Sequence, residues 1–144
     1  MSSISKFNNQ LKDFIKDLQL LDINNSEKLN ESLYYLKFNS KLGIKLFREH
    51  LLDDVLKRLM IFDQDDDFFL NKDCNYYNKS NNITENMILE IKDKWGCLDN
   101  SSKQKIWNYL KVLIYFSDED MGIKTIDYNK NLKREYLKSR VVIQ

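Results

Sequence analysis

The chain has 144 residues, with 23 basic and 22 acidic side chains for a formal net charge of +1, and 42% of it is hydrophobic. This length suits one domain with one main core, while the apolar content excludes a disordered chain and the balanced charge excludes a global attraction to nucleic acid or membrane. Lys or Asp interrupts each apolar run within a few residues, so no segment is expected to span a bilayer, and with no signal peptide in view the two cysteines, Cys74 and Cys97, read as reduced thiols of a cytosolic protein. The chain contains no proline and no alanine. Helices can therefore run unbroken, but must pack through large side chains. An abundance of Asn, Lys, Ile and Tyr points to an AT-rich genome.

The first expected element is a helix over about Ser3 to Leu21, with Phe7, Leu11, Phe14, Ile15, Leu18 and Leu21 on one face. It could lie on a membrane, but Asp13 and Asp17 dilute its basic side, which favours core packing. Ser26 can cap a second helix through about Asn39, carrying Leu29, Leu33 and Leu36 with Tyr34 and Tyr35. Asn39, Ser40 and Gly43 weaken the helix there. A third helix from about Lys41 to Phe62, striped by Leu42, Leu46, Phe47, Leu51, Val55 and Leu59, is expected to be the longest. The lone histidine, His50, sits beside that stripe with no second histidine to share a metal, and reads as structural or solvent-facing.

Asp63, Asp65 and Asp67 alternate as in a calcium loop, but Phe68 stands where an EF-hand needs glycine and Cys74 where it needs glutamate. A looser cation site or a carboxylate cluster for metal-assisted hydrolysis is the minor alternative to a solvated helix end, from which Phe68, Phe69 and Leu70 tuck back onto the bundle. Asn71 to Asn82 is the one long loop, and its Tyr76 and Tyr77 are candidate partner contacts.

Ile83, Met87, Ile91 and Trp95 recur at a spacing of four, predicting a helix from about Thr84 to Trp95 with Thr84 as its cap and Gly96 closing it in the left-handed conformation under Leu98. Ser101 and Gln104 form a capping box for the next helix, with Ile106, Trp107, Leu110, Leu113 and Ile114 on its stripe. With about five residues between them, the two helices are expected to be antiparallel neighbours. Two tryptophans could form a ligand platform; at helical spacing beside Ile and Leu they read as core.

Ser117 to Asp120 closes that helix and Gly122 breaks the chain. Asp127 to Arg140 then shows Tyr128, Leu132, Tyr136 and Leu137 at helical spacing among Lys130, Lys133, Arg134, Lys138 and Arg140. From Met121 to Gln144 six basic residues stand against two acidic ones, so this end is the only basic region. It reads as a last amphipathic helix docked on the bundle. The alternative is a nucleic-acid contact through those five basic residues, with Tyr128 and Tyr136 to stack on bases. Val141, Val142 and Ile143 form an apolar tip suited to packing or to a partner.

Signatures of chemistry are missing: there is no glycine-rich phosphate loop, no Cys-x-x-Cys, no His-Glu-x-x-His and no Gly-x-Ser-x-Gly. Carboxylates are plentiful, but they read as members of polar runs rather than as interruptions of an apolar stripe, where burial would tune them. No enzyme and no cofactor are expected.

Several stretches carry a family resemblance. Phe7-Asn8-Asn9-Gln10-Leu11 followed by Phe14, Ile15 and Leu18, the run Asp65-Asp66-Asp67-Phe68-Phe69-Leu70, Trp95 with Leu98, and Lys105-Ile106-Trp107-x-Tyr109-Leu110-Lys111-x-Leu113 resemble short all-helical proteins of unknown function from nucleocytoplasmic large DNA viruses. The resemblance covers about residues 5 to 117 and rests on core aromatics. It implies a viral origin and action in the infected cell's cytoplasm or the virion, and brings no catalytic residue. The expectation is thus an all-α fold, a single bundle of about five to seven helices over residues 1–120 with a basic helix or tail over 121–144. Its expected role is protein-protein interaction or assembly, with a viral or host partner or a second copy.

Overall fold

In the computed structural model, which describes residues 1–21, 26–70 and 83–143, every regular element is helical. Side chains at 26–29, 32, 35, 83 and 139–143 lie outside that description, as do Tyr76 and Tyr77 and the rest of the expected long loop. The fold is an all-α bundle, with eight helices among the described residues.

Helix α1, Ser3–Leu20, starts where the Ser2 hydroxyl accepts the Ser5 N–H at 3.1 Å, and it buries Phe7, Leu11, Phe14, Ile15 and Leu18. That spacing puts all five on one face. The face lies along α7, Asn100–Asp120, in the most extensive helix contact among the described residues. The two run antiparallel: Lys6 Nζ reaches Glu119 Oε1 at 3.3 Å near one end, while Phe14 stacks on Tyr109 at 4.8 Å further along. Helices α2, Ser26–Phe38, and α3, Leu42–Leu51, close over α1. Gly43 permits this close approach, because a Cβ there would come within 3.0 Å of Leu36 Cδ2 and 3.1 Å of Leu11 Cδ2. The residue that weakens helix propensity is thus a packing contact.

The long helix expected over residues 41–62 is two helices. α3 ends at Leu51, and α4, Val55–Phe62, begins after Asp54, whose carboxylate accepts the Leu56 N–H at 2.9 Å. An Asp at an N-cap offers the exposed amides an acceptor that a continuing helix would not use. Lys57 Nζ spans the break, donating to the His50 carbonyl at 3.1 Å and to Asp53 at 2.9 Å. The longest described helix is α7, at 21 residues.

α5, Asp67–Leu70, is one turn. Phe68 and Phe69 tuck inward as expected, while Leu70 stays exposed. Phe69 stacks on Trp95 at 4.3 Å and lies 5.1 Å from Trp107, and the two indoles meet edge to face at 5.3 Å. Both tryptophans are core, in the offset and edge-on geometries that aromatic quadrupoles favour.

α6, Ile83–Lys94, starts one residue before the expected cap, so Thr84 is a buried helical residue. It passes into a 3-10 turn, Trp95–Cys97, that contains Gly96; the only glycine with positive φ is Gly122. No left-handed closure occurs at Gly96. Leu98 still folds back, its N–H donating to the Trp95 carbonyl at 3.2 Å. α7 is capped by Asp99, which accepts from Ser102 N–H at 2.7 Å, and not by the Ser101/Gln104 box. That backbone hydrogen bond, aided by the Ser102 hydroxyl, holds the Asp99 carboxyl below its ordinary range. Nor do α6 and α7 lie along each other. α6 packs on α3, α2 and α5, while α1 lies along α7 and Trp95, just beyond α6, touches Trp107.

Candidate functional site

The last helix, α8 at Thr125–Ile143, is placed by the end of α7. Met121 closes α7, Gly122 takes φ 73°, its N–H donates to Glu119 O at 3.1 Å, and Ile123 N–H donates to Asp118 O at 2.8 Å. Paired bonds of this kind satisfy the orphan carbonyls and reverse the chain. α8 then runs back beside α7 and α4.

A buried polar cluster fixes it there. Arg58 of α4 and Asp118 of α7 form a two-pronged ion pair in which Arg58 is 5% and Asp118 2% exposed, with Nη1 to Oδ1 at 3.1 Å. Thr125 Oγ1 donates to Asp118 Oδ2 at 2.7 Å, Arg58 Nε donates to Asn129 Oδ1 at 2.7 Å, and the guanidinium lies 4.7 Å above the Tyr128 ring. A desolvated pair holds only when its remaining donors and acceptors are met, and here α8 meets them. Arg48 adds a second clamp, donating to Ser117 Oγ, Ser117 O and Asp120 Oδ2, each at 2.9 Å. Two guanidiniums thus sit at the negative end of the longest helix.

This cluster corrects the expectation that the carboxylates belong only to polar runs. Asp118 follows Ile114 by four residues and Leu110 by eight, so it continues the apolar stripe of α7 into the interior. That register was the available signal, hidden by the neighbouring Glu119 and Asp120.

The docked side of α8 is the stripe Thr125, Asn129, Leu132 and Tyr136. A second stripe, Ile126, Lys130, Lys133 and Leu137, recurs at the same helical spacing and faces outward; Ile126 is 66% and Leu137 54% exposed. Arg134 and Lys138 beside it are exposed as well. The Ile126 to Leu137 stripe itself carries no acid; exposed Asp127 lies between Arg134 and Lys138 around the helix, and exposed Glu135 precedes Lys138 by three residues. Lys133 makes one ion pair, with Asp63 at 3.3 Å, and both partners are exposed. Of the candidate nucleic-acid residues, Lys130, Lys133, Arg134 and Lys138 share the exposed side; Tyr128 holds the Arg58 guanidinium over its ring yet is 38% exposed, and Tyr136 is half-buried on the docked side. Arg140, Val141, Val142 and Ile143 continue α8 to its end.

Elsewhere the polar groups hold structure. His50 Nδ1 pairs with Glu85 at 2.7 Å, half-buried between α3 and α6. Asp65 Oδ1 accepts the Asp67 N–H at 3.0 Å, opening α5, and Asp63 faces Lys133. Among the described residues no group of three or more His, Cys, Asp or Glu side chains could hold a metal ion. A shallow hollow of about 210 Å³ between α1 and α7 is lined by Gln10, Asp17, Lys105, Asn108, Tyr109 and Val112. At its edge the Tyr109 hydroxyl donates to Asp17, and burial first, then that bond and the charges of Asp17 and Asp13, push its pKa up to about 12. The phenol therefore holds its proton more firmly than a free tyrosine does. Among the described residues no helix is long and apolar enough to cross a membrane. Compared with family models, with curated proteins and with solved structures, the chain matches none.

Proposed function

We propose that this protein is a non-enzymatic protein-protein interaction or assembly module, and that the outward face of α8 is its working surface. Following the family resemblance, its setting is the cytoplasm of a cell infected by a large DNA virus, or the virion. The observation that carries the reading is a helix with two faces. One face is locked to the bundle by Arg58 and Asp118, and the other presents Ile126 and Leu137 between Lys130 and Lys133. Large exposed apolar side chains at one helical register, flanked by charge, have the make-up of a contact patch. Buried anchoring means that the face is held in shape before a partner arrives, which lowers the ordering cost of binding.

The test compares the immobilised full chain with an Ile126→Glu/Leu137→Glu variant whose helical content is first shown to be unchanged. Proteins retained from the source cytoplasm by the wild type at physiological salt and lost by the variant support the reading. Equal retention by both overturns it.

A second reading, nucleic-acid association, draws on the exposed Lys130, Lys133, Arg134 and Lys138. Fluorescence anisotropy with single- and double-stranded DNA and RNA separates the two. Binding that falls steeply with salt and vanishes in Lys130→Glu/Arg134→Glu favours nucleic acid; no binding at low salt removes it.

A further inference from the structure

Resting on the reading of α8 as a contact surface, we infer that its occupant is a second copy of this chain, with α8 of each copy seated against the acidic turn at residues 63–67 of the other.

Charge distribution carries the argument. The exposed side of α8 is basic on balance, with Lys130, Lys133, Arg134 and Lys138 against Asp127 and Glu135. Asp63, Asp65, Asp66 and Asp67 are all exposed on the turn between α4 and α5. The two patches are neighbours on one side of the molecule, since Lys133 Nζ lies 3.3 Å from Asp63 Oδ1. Arg58 meets Asn129 and Asp63 meets Lys133, so α4 and α8 run parallel and the acidic turn lies beside the middle of α8. Among the described residues Lys130, Arg134, Lys138, Asp65, Asp66 and Asp67 form no ion pair within the chain.

A surface that carries a basic patch beside an acidic one is complementary to itself when rotated by half a turn. That is the requirement of a two-fold, isologous contact, in which each copy supplies both halves. With a net charge of +1 the copies do not repel one another overall. Apolar side chains accompany both halves: Leu137 and Ile126 on α8, and Leu70 at the end of α5, are each at least half exposed. They supply burial that exposed charges alone would not, since a solvent-exposed pair contributes at most about 1 kcal/mol. The charges instead set register and partner choice.

Charge reversal with mixing tests this. The mass of the full chain is measured by light scattering after gel filtration at low and physiological salt. The wild type is expected at twice 17.4 kDa. Lys130→Glu/Arg134→Glu and Asp65→Lys/Asp66→Lys, each with unchanged helical content, are expected to be monomers alone and to form a dimer when mixed, because mixing restores an acid-base match at both halves. A monomeric wild type, or two variants that stay monomeric together, overturns the inference. A monomeric wild type that retains another protein through Ile126 and Leu137 overturns the second copy alone and leaves the contact-surface reading in place. A wild-type dimer unchanged by either charge reversal places the contact elsewhere and overturns the inference too.

Discussion

Arg58 and Asp118 stand sixty residues apart in sequence and meet face to face in the interior. Their pair joins α4 to α7, and through Thr125 and Asn129 it joins both to α8. Arg58→Met or Asp118→Asn should each lower the unfolding free energy by roughly 3–5 kcal/mol, because each leaves an uncompensated charge or an unfilled donor fork in the core. Arg58→Met/Asp118→Asn should lose less than the sum of the two, since no lone charge remains. Urea unfolding followed by the fluorescence of the buried Trp95 and Trp107 reads all three. Strictly additive losses would mean that the two side chains act independently.

Tyr109 gives a pH dependence with a definite sign. Its folded pKa is raised to about 12 from the ordinary 10.0. The folded state therefore holds the phenolic proton where the unfolded chain releases it. The contribution is fully present below pH 10 and is lost as pH rises from about 10 to 12. Tyr109→Phe should flatten that alkaline loss and cost about 1 kcal/mol at neutral pH for the hydrogen bond to Asp17. Thermal melts across that range check both statements.

Two glycines should respond oppositely to alanine. Gly122→Ala forces a Cβ into φ 73° at the turn that launches α8, and should destabilise by about 1–2 kcal/mol. Gly96 has negative φ and nothing within 4 Å of an added Cβ, so Gly96→Ala should raise stability by about 0.4–1 kcal/mol through the unfolded chain. Melting temperatures of the two variants measured side by side suffice. A loss of stability at Gly96 would contradict the 3-10 turn.

Asp54 is the cap that divides residues 41–62 into two helices. Asp54→Ala removes the acceptor of the Leu56 N–H and should cost roughly 1 kcal/mol. Asp54→Asn, which keeps an acceptor, should cost much less. Chemical denaturation of both variants distinguishes a lost cap from a merely altered surface charge.

The site was partly readable from the chain. Lys130, Lys133, Arg134 and Lys138 share an exposed side because helical periodicity alone puts them there. Tyr128 and Tyr136 carry the same periodicity, yet the first, still exposed, holds the Arg58 guanidinium over its ring and the second is half-buried against the bundle. Which face of an amphipathic helix docks depends on what it meets. Arg58 was hidden for a similar reason: a lone arginine beside Leu59 and Ile61 reads as a surface charge until its counter-ion is found sixty residues away.

Local pattern was enough for the helical class, for the apolar stripes of α1 and α7, for the core placement of both tryptophans and for the turn at Gly122, because each depends on side-chain spacing or on one residue's backbone freedom. Pairing was decided in three dimensions. The short linker made α6 the natural neighbour of α7, but α1 buries its own five-residue stripe along α7, and α6 packs on α2, α3 and α5. Gly43 looked like a helix breaker and became the point where α1, α2 and α3 close in. Burial energy depends on total complementarity of surfaces distant in sequence, and no periodicity within a segment records it.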